Sequence, residues 1–341
     1  YNNGVYVLYV DSVSILNGTS SYYLNNLTPS YDTFIGSRYG TTGVGTSIIG
    51  SADQIRIFST VLTAANVTSL YNEVQCVPAI IPSDYFNPLL YTGNGSTQSI
   101  DDLTFAPDLV WIKVRDESNN HVLTDSVRGV DSIVSADGTY AESTFSSAWR
   151  AQYGQIQTFD TNGFTIKNST DADVFNKLND LYVAWNWRAA GFANAFNVLE
   201  GGTVTTSSSA ATAGITAGTI TTGWNVSANR DAGFSIVSYT ANGTSGATIG
   251  HGLSQEADLV IVKNTNLSTQ SWNTYVKDVT DTNAKYLMLN SSNAINNTAN
   301  PRFIVGNFSS DVFSVGNDNA TNGISGTDTY IAYCFHSVAG Y

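Results

Sequence analysis

The chain has 341 residues, 42% of them hydrophobic; this is enough to build cores for two or three domains and excludes wholesale disorder. Its 14 basic and 27 acidic residues give a formal net charge of −13 without a basic cluster, which argues against nucleic acid or an anionic membrane surface as a partner. The 19 Tyr, 15 Phe and 6 Trp residues favour strands over helices.

Residues 1–77 differ in pattern from the rest of the chain. Strand-like stretches at 5–15 and 31–40 precede one helix-like stretch, 62–71, with Thr63 as its predicted N-cap. No other stretch predicts a helix. Three prolines then mark a boundary: Pro78, Pro82 and Pro88.

This first segment resembles the C-terminal part of a laminin-G or concanavalin-A-like jelly roll. The stretches that carry the resemblance are 9–14, 33–40 and 50–73. The family's last strand leads into a short helix ending in Leu-Tyr, and Leu70 and Tyr71 fit that pattern. The resemblance implies that the chain starts inside a sandwich, and it makes Asp11 and Asp53 candidate calcium ligands. Because no calcium-loop motif is present, the sequence itself predicts no cofactor.

The remainder of the chain contains an internal repeat. Four blocks recur in the same order at offsets of 148 to 150 residues, and chance does not readily give four such pairs. The paired blocks are 91–100 with 239–249, 107–113 with 257–263, 159–166 with 308–315, and 181–191 with 329–340. We therefore predict a first β-sandwich repeat at 85–191, a linker or edge strands at 192–232, and a second repeat at 233–341.

The repeated blocks have strand character. Residues 109–112 form a continuous apolar run, as expected of a strand in a sandwich core. In the stretch 182–187, Trp185 and Trp187 alternate with smaller residues, and we interpret them, with Trp111, as structural. Asn-Gly pairs follow the first strand of each repeat and predict tight hairpin turns. The fold class is all-β, with tandem β-sandwich (jelly-roll-like) modules.

The two cysteines are Cys76 and Cys334. A disulfide between them would join opposite ends of the chain, so two unpaired, small hydrophobic residues are the favoured interpretation. Cys334 takes the place in the second repeat that Asn186 has in the first, which argues for packing rather than shared chemistry.

The two repeats resemble modules that occur in tandem in tail-fibre and other virion proteins of marine and cyanobacterial phages. The matching stretches are 105–116, 125–130, 181–191, 233–253, 257–264 and 329–341. The resemblance implies an extracellular virion appendage that binds other virion proteins, forms a homo-oligomer (a trimer), and contributes to attachment to host-surface glycans.

A search for catalytic residues yields little. The three histidines lack metal-ligand spacing, and there is no Gly-x-Ser-x-Gly motif. Asp101 and Asp102 adjoin each other and would point to opposite faces of a strand, whereas Asp171 and Asp173 lie in a polar stretch typical of a solvated loop. We therefore expect no enzymatic activity.

Trp149 and Tyr153 are the candidate glycan-binding residues. They lie between the matched strands, on a stretch whose sequence is unlike that of its partner in the second repeat, and aromatic rings stack on sugar rings. The alternative is that both pack under the loop. Three other functions remain open: a capsid or tail decoration protein without a receptor, a bacterial surface adhesin, or accessory modules of a carbohydrate-active enzyme.

Overall fold

The computed structural model describes residues 5–10, 13–19, 37–40, 43–47, 62–74, 81–171, 174–191, 195–197, 205–206 and 213–338. The chain divides into two compact units, Tyr1–Pro78 and Ala79–Tyr341. Strands dominate both units, which confirms the predicted all-β fold. Neither described helix is long and apolar enough to cross a membrane.

The described residues of the first unit form two antiparallel strand pairs and one helix. The pairs are β1 (Val5–Val10) with β2 (Val13–Thr19), and β3 (Ser37–Gly40) with β4 (Gly43–Ser47). The helix is α1 (Ala64–Val74), and Thr63 caps it as predicted. The Asn66 amide donates to Thr63 Oγ1 at 3.2 Å, while the Thr63 amide donates to Asn66 Oδ1 at 3.1 Å. This reciprocal pair satisfies two N–H groups at the helix start.

The first repeat is a sandwich of two sheets. The larger sheet has the order β5 (Phe86–Thr92), β12 (Leu181–Trp187), β7 (Leu109–Val114), β8 (Val122–Asp125) and β9 (Ile133–Ser135). The smaller sheet has the order β10 (Gln155–Asp160), β11 (Gly163–Lys167) and β6 (Gln98–Ile100). Apolar side chains from both sheets share one core, which includes Ile112, Phe164 and Tyr182.

A short helix, α2 (Ser147–Tyr153), leads into the smaller sheet. Ser146 is its N-cap and accepts a hydrogen bond from the Trp149 amide at 3.3 Å. Gly154 ends the helix with φ +92°, a value that suits glycine. The prediction of α1 as the only helix was therefore wrong, because a capped helix of 7 residues, about two turns, leaves too short a periodic pattern in the sequence.

The second repeat has a larger sheet of nine strands facing a two-stranded one. The nine follow the order β14 (Thr205–Thr206), β13 (Ala195–Asn197), β15 (Asn225–Asn229), β16 (Phe234–Thr240), β23 (Thr329–Phe335), β18 (Leu259–Asn264), β19 (Asn273–Val276), β20 (Lys285–Met288) and β21 (Asn296–Asn297). The pair is β17 (Ala247–Gly250) with β22 (Val312–Val315). Residues 192–232 thus supply three strands at one side of the large sheet, and of these β13 pairs in parallel with β15.

The two repeats reproduce the same buried contacts. Tyr91 and Tyr182 stack with ring centroids 5.0 Å apart, and Tyr239 and Tyr330 stack at 5.1 Å. In each repeat the first tyrosine of the pair donates its hydroxyl proton to a backbone oxygen of a loop, at 2.7 and 2.6 Å. The sequence repeat is therefore also a repeat of packing.

The predicted tight hairpins are not formed. Gly95 and Gly243 do have the positive φ expected, +67° and +65°. However, the strands on either side of each turn belong to different sheets, so the chain crosses the sandwich at these points. Asn176 and Asn322 fix the crossings, since each Oδ1 accepts the amide of the turn asparagine at 2.9 Å.

The large sheets of the two repeats pack on each other face to face. One face of β7, β8 and β9 contributes Leu109, Leu123 and Val134, and these join Phe234 and Tyr333 of the second repeat in one buried cluster. The opposite face of every one of these strands packs in its own sandwich. The repeats therefore form four layers, with the two large sheets in the middle.

Candidate functional site

An ionic network is buried where the repeats meet. Asp125 ends β8 and is fully buried, and its carboxylate accepts hydrogen bonds from the Arg128 guanidinium at 2.6 and 2.8 Å. The Tyr333 hydroxyl of the second repeat donates to the same carboxylate at 3.0 Å. Arg128 also donates to Glu142 Oε2 at 2.7 Å.

The charges in this network stabilise each other. Burial alone lowers the pKa of Arg128, but the carboxylate of Asp125, together with Tyr333 and Glu142, raises that pKa above its usual value. Burial and the nearby Asp125 charge raise the pKa of the Tyr333 hydroxyl. Arg128 is therefore a permanent cation and Tyr333 a permanent donor at neutral pH.

A polar cleft of about 660 Å³ opens beside this network, between the two repeats. The first repeat contributes charged and hydroxyl side chains, and the second contributes hydroxyl and amide groups. The polar lining residues are Arg128, Asp131, Ser132, Glu142, Ser143, Ser146, Ser147 and Arg150 on one side, and Ser238, Thr240, Thr265, Asn266 and Thr329 on the other. The volume lies within the usual range of small-molecule sites.

Hydrogen bonds between the repeats hold the two walls together. The Glu142 amide donates to the Thr265 carbonyl at 2.8 Å. On the opposite wall, the hydroxyls of Thr265 and Thr329 lie 2.6 Å apart, and Asn266 Oδ1 accepts from both the amide and the hydroxyl of Thr329. A cleft lined by hydroxyl, amide, carboxylate and guanidinium groups suits a ligand that is rich in hydroxyl groups.

Helix α2 supplies the rim of the first wall. Arg150 donates to the carbonyl of Phe145 at 2.6 Å and to the carbonyl of Asp131 at 3.0 Å, which anchors the helix to the loop after β8. Ser147, at the start of the helix, is exposed in the cleft. The helix is thus the element that separates the wall of this cleft from the sandwich core.

Trp149 and Tyr153 lie in an aromatic series along α2. Tyr140, Phe145, Trp149 and Tyr153 are in contact in that order, with ring centroids 6.5, 4.7 and 5.0 Å apart. Phe145 lines the cleft, whereas half-buried Trp149 and Tyr153 pack against the core of the first repeat and are not among its lining residues. Tyr140, 45% exposed, is the most accessible ring of the series.

The other polar residues singled out in the sequence do not converge. Asp101 and Asp102 are exposed in the loop after β6, and Asp171 is exposed far along the chain, while Asp173 lies outside the described residues. Buried His251 is held by backbone groups on both ring nitrogens: its Nδ1 accepts the Leu253 amide at 3.1 Å, and its Nε2 lies 3.4 Å from the Ser309 carbonyl oxygen. These positions show no catalytic arrangement among the described residues.

Buried Asp108 binds two chain segments that directly follow neighbouring strands, at Ser126 and Ala189. Burial raises its pKa to about 6, and hydrogen bonds from Ser126 and the Ala189 amide oppose that rise. Asp258 has the equivalent place in the second repeat, where it accepts the amide and hydroxyl of Ser337. The shared contact joins the start of one strand to the end of its neighbour.

No three His, Cys, Asp or Glu side chains of the described residues lie close enough together to hold a metal ion. The calcium candidates Asp11 and Asp53, and also Cys76, lie outside the described residues. Cys334 is buried and unpaired, and burial raises the pKa of its thiol.

Most residues of the cleft were not predicted from the sequence. The stretch 125–130, which carries Asp125 and Arg128, was used only for its resemblance to phage modules. The available signal was a pair of opposite charges, Asp125 and Arg128, three residues apart at the end of a buried strand. Its partner Tyr333 lies 208 residues further along, so the network depends on how the repeats pack.

The architecture places this protein among all-β proteins built from paired β-sandwich repeats. Residues 81–341 match the family described as "Domain of unknown function (DUF7483)", and the chain belongs to that family. No curated protein matches the chain. No solved structure matches it either.

Proposed function

We propose that this protein is a structural component of a virion appendage such as a phage tail fibre, and that the polar cleft between its repeats binds glycans of the host surface. The observation that carries the proposal is the cleft itself, with hydroxyl, amide and charged groups on two walls that are hydrogen-bonded to each other. The resemblance of the repeats to phage tail-fibre modules supports the location on a virion appendage.

The chemistry of the cleft supports sugars over other ligands. Carboxylates and amide oxygens accept from sugar hydroxyls, while arginine and hydroxyl groups donate to them. Both signs of charge are present, since Arg128 and Arg150 line the cleft with Asp131 and Glu142, which favours a ligand rich in hydroxyls over a strongly charged one. The ring of Tyr140, 45% exposed and in contact with the buried Phe145, is an accessible aromatic surface of the first repeat on which a sugar ring could stack.

A fibre needs only modest affinity at each site. If the protein assembles as a homo-oligomer, which the phage resemblance implies, several clefts engage one cell surface and avidity multiplies their effect. In this proposal the stacked sandwiches hold each cleft in a fixed geometry, and no enzymatic step is required.

The test is binding of the folded chain to an array of bacterial glycans and to intact candidate host cells. Ser147→Trp places a large side chain at the rim of the cleft, and we expect it to weaken glycan binding at least tenfold. Ala148→Trp is the matched control, because Ala148 is exposed on the same helix but does not line the cleft. Trp149→Ala tests the aromatic series directly.

The outcomes separate the candidate functions. Equal binding by wild-type protein and Ser147→Trp would remove the cleft from consideration. A folded wild-type chain that binds neither glycans nor cells would favour a decoration or spacer protein without a receptor.

A further inference from the structure

An apolar cavity of about 230 Å³ lies between the repeats, at a different part of their interface from the polar cleft. Trp111 and Trp187 of the first repeat line it together with Leu259, Ile261 and Phe335 of the second. Trp111 and Trp187 also contact each other, with ring centroids 6.4 Å apart. The cavity is partly open to solvent, since Leu289 in its lining is 38% exposed, and apolar side-chain surface is left uncovered there.

Water is a poor occupant for this cavity. Its lining includes Trp111, Trp272 and Tyr333, whose polar atoms are bonded elsewhere. The indole N–H groups of Trp111 and Trp272 donate to His121 Nδ1 at 3.1 Å and to the Ser135 carbonyl at 2.7 Å, and the Tyr333 hydroxyl is bound to the buried carboxylate. No polar atom of the lining, the third indole of Trp187 included, is exposed in the cavity. An ordered water needs two or more polar partners, so an apolar group is the better occupant.

A second, more polar cavity adjoins the first. It has a volume of about 300 Å³ and shares Trp111 and Leu289 with the apolar cavity as a common wall. His121, Asp137 and Asn290 also line it. Burial lowers the pKa of His121, so its ring is neutral at pH 7, and because Nδ1 accepts from Trp111 the ring proton is on Nε2.

We propose that these two adjoining cavities form a site for a small amphipathic molecule: one aromatic ring in the apolar cavity and a hydroxyl-bearing substituent at His121 and Asp137. A dry cavity of roughly 150 Å³ holds benzene, so 230 Å³ accommodates one substituted ring. Three indoles and a phenyl group in the lining favour an aromatic ligand through edge-to-face contacts. This site is separate from the glycan proposal and does not depend on it.

The experiment titrates the full chain with 4-fluorobenzyl alcohol and follows the ligand by ¹⁹F NMR. We expect saturable binding with a dissociation constant in the millimolar range or tighter. Leu259→Trp fills the apolar cavity and is expected to weaken binding at least tenfold. Leu178→Trp, at an exposed position that does not line either cavity, is the matched control and should bind as the wild type does.

Two further measurements keep the proposal open to refutation. If Leu259→Trp does not fold, Leu289→Trp serves in its place, because Leu289 is 38% exposed and forms the shared wall. The analogue 4-fluorotoluene lacks the hydroxyl group and should bind more weakly than the alcohol. Failure of the wild type to bind, unchanged binding after the cavity is filled, or equal binding of the two analogues would overturn the proposal.

Discussion

The buried network at the repeat interface makes a strong prediction for stability. Asp125→Ala removes the carboxylate that neutralises Arg128, whose side chain is only 8% exposed, and leaves Glu142 as its remaining acidic partner. Glu142 is 31% exposed, so solvent weakens that second pair. Breaking a buried pair by deleting one partner costs about 3–5 kcal/mol, and the Tyr333 hydroxyl also loses its acceptor.

The assay is urea unfolding followed by tryptophan fluorescence, with the free energy of unfolding extrapolated to water. Asp125→Leu combined with Arg128→Met is the informative partner variant. Because it replaces both charges with apolar groups, we expect it to recover most of the lost stability. The exposed ion pair of Asp281 and Lys285 supplies the control: Asp281→Ala should cost less than about 1 kcal/mol.

The reasoning about the buried charge would be refuted if Asp125→Ala lowered the free energy of unfolding no more than the surface control Asp281→Ala does. It would also be refuted if the double variant lost as much stability as Asp125→Ala does. Either result would mean that the guanidinium is hydrated in the folded protein.

Three further predictions concern buried polar groups. Burial lowers the pKa of His251 to about 4 from the ordinary 6.5, so the stability that its neutral ring contributes is complete above pH 6.5 and is lost as pH falls towards 4. The free energy of unfolding of the wild-type protein should therefore fall by about 2 kcal/mol between pH 7 and 5 in urea titrations, and that of His251→Asn should fall by less. Burial and Arg128 lower the pKa of Lys263 to about 8, so the cost of its buried charge is complete at neutral pH and falls as pH rises from 8 to 10.5. Lys263→Met should therefore gain about 2 kcal/mol at pH 7 by the same assay and show no such alkaline dependence; a loss of stability would contradict this. Asn176→Ala removes the side-chain acceptor of the Asn94 amide, and Asn322→Ala removes that of the Asn242 and Gly243 amides. Each should cost about 1–3 kcal/mol by thermal unfolding. Costs that differ by more than about 1 kcal/mol would show that the two crossings are not equivalent.

Local pattern predicted the strands well. The run at 109–112 and the alternation at 182–187 both fall inside strands of the large sheet, β7 and β12. The apolar and polar periods are properties of the strand alone, so no tertiary information was needed. The same holds for Thr63, whose cap depends on a residue three positions away.

The sequence did not predict that the large sheets of the two repeats pack on each other. Trp111 and Trp187 were interpreted as structural. Each lies on a strand that has one face in the core of its own sandwich and the other face at the repeat interface. Alternation indicates that a strand has two faces but does not reveal what covers the second one. The hairpin predictions failed for a related reason, since Asn-Gly fixes the turn and not the sheet to which the next strand belongs.

For the candidate site too, the sequence predicted local features but not those that depend on how the repeats pack. Trp149 and Tyr153 were selected by their residue type and because their stretch is unlike its partner in the second repeat, and they lie on the helix that forms the cleft rim. The polar lining comes from two repeats that are distant in the chain, so only the packing of the repeats brings Arg128 near Asn266 and Thr329.

Face-to-face packing has a consequence for how such modules multiply. Each large sheet has a single outer face, and in this chain that face is covered by the sister repeat. The two repeats thus associate like the subunits of a dimer within one polypeptide. Because they are covalently linked, their association is intramolecular and does not depend on protein concentration. A third copy would find both faces already taken, so modules that associate in this way are added most readily two at a time.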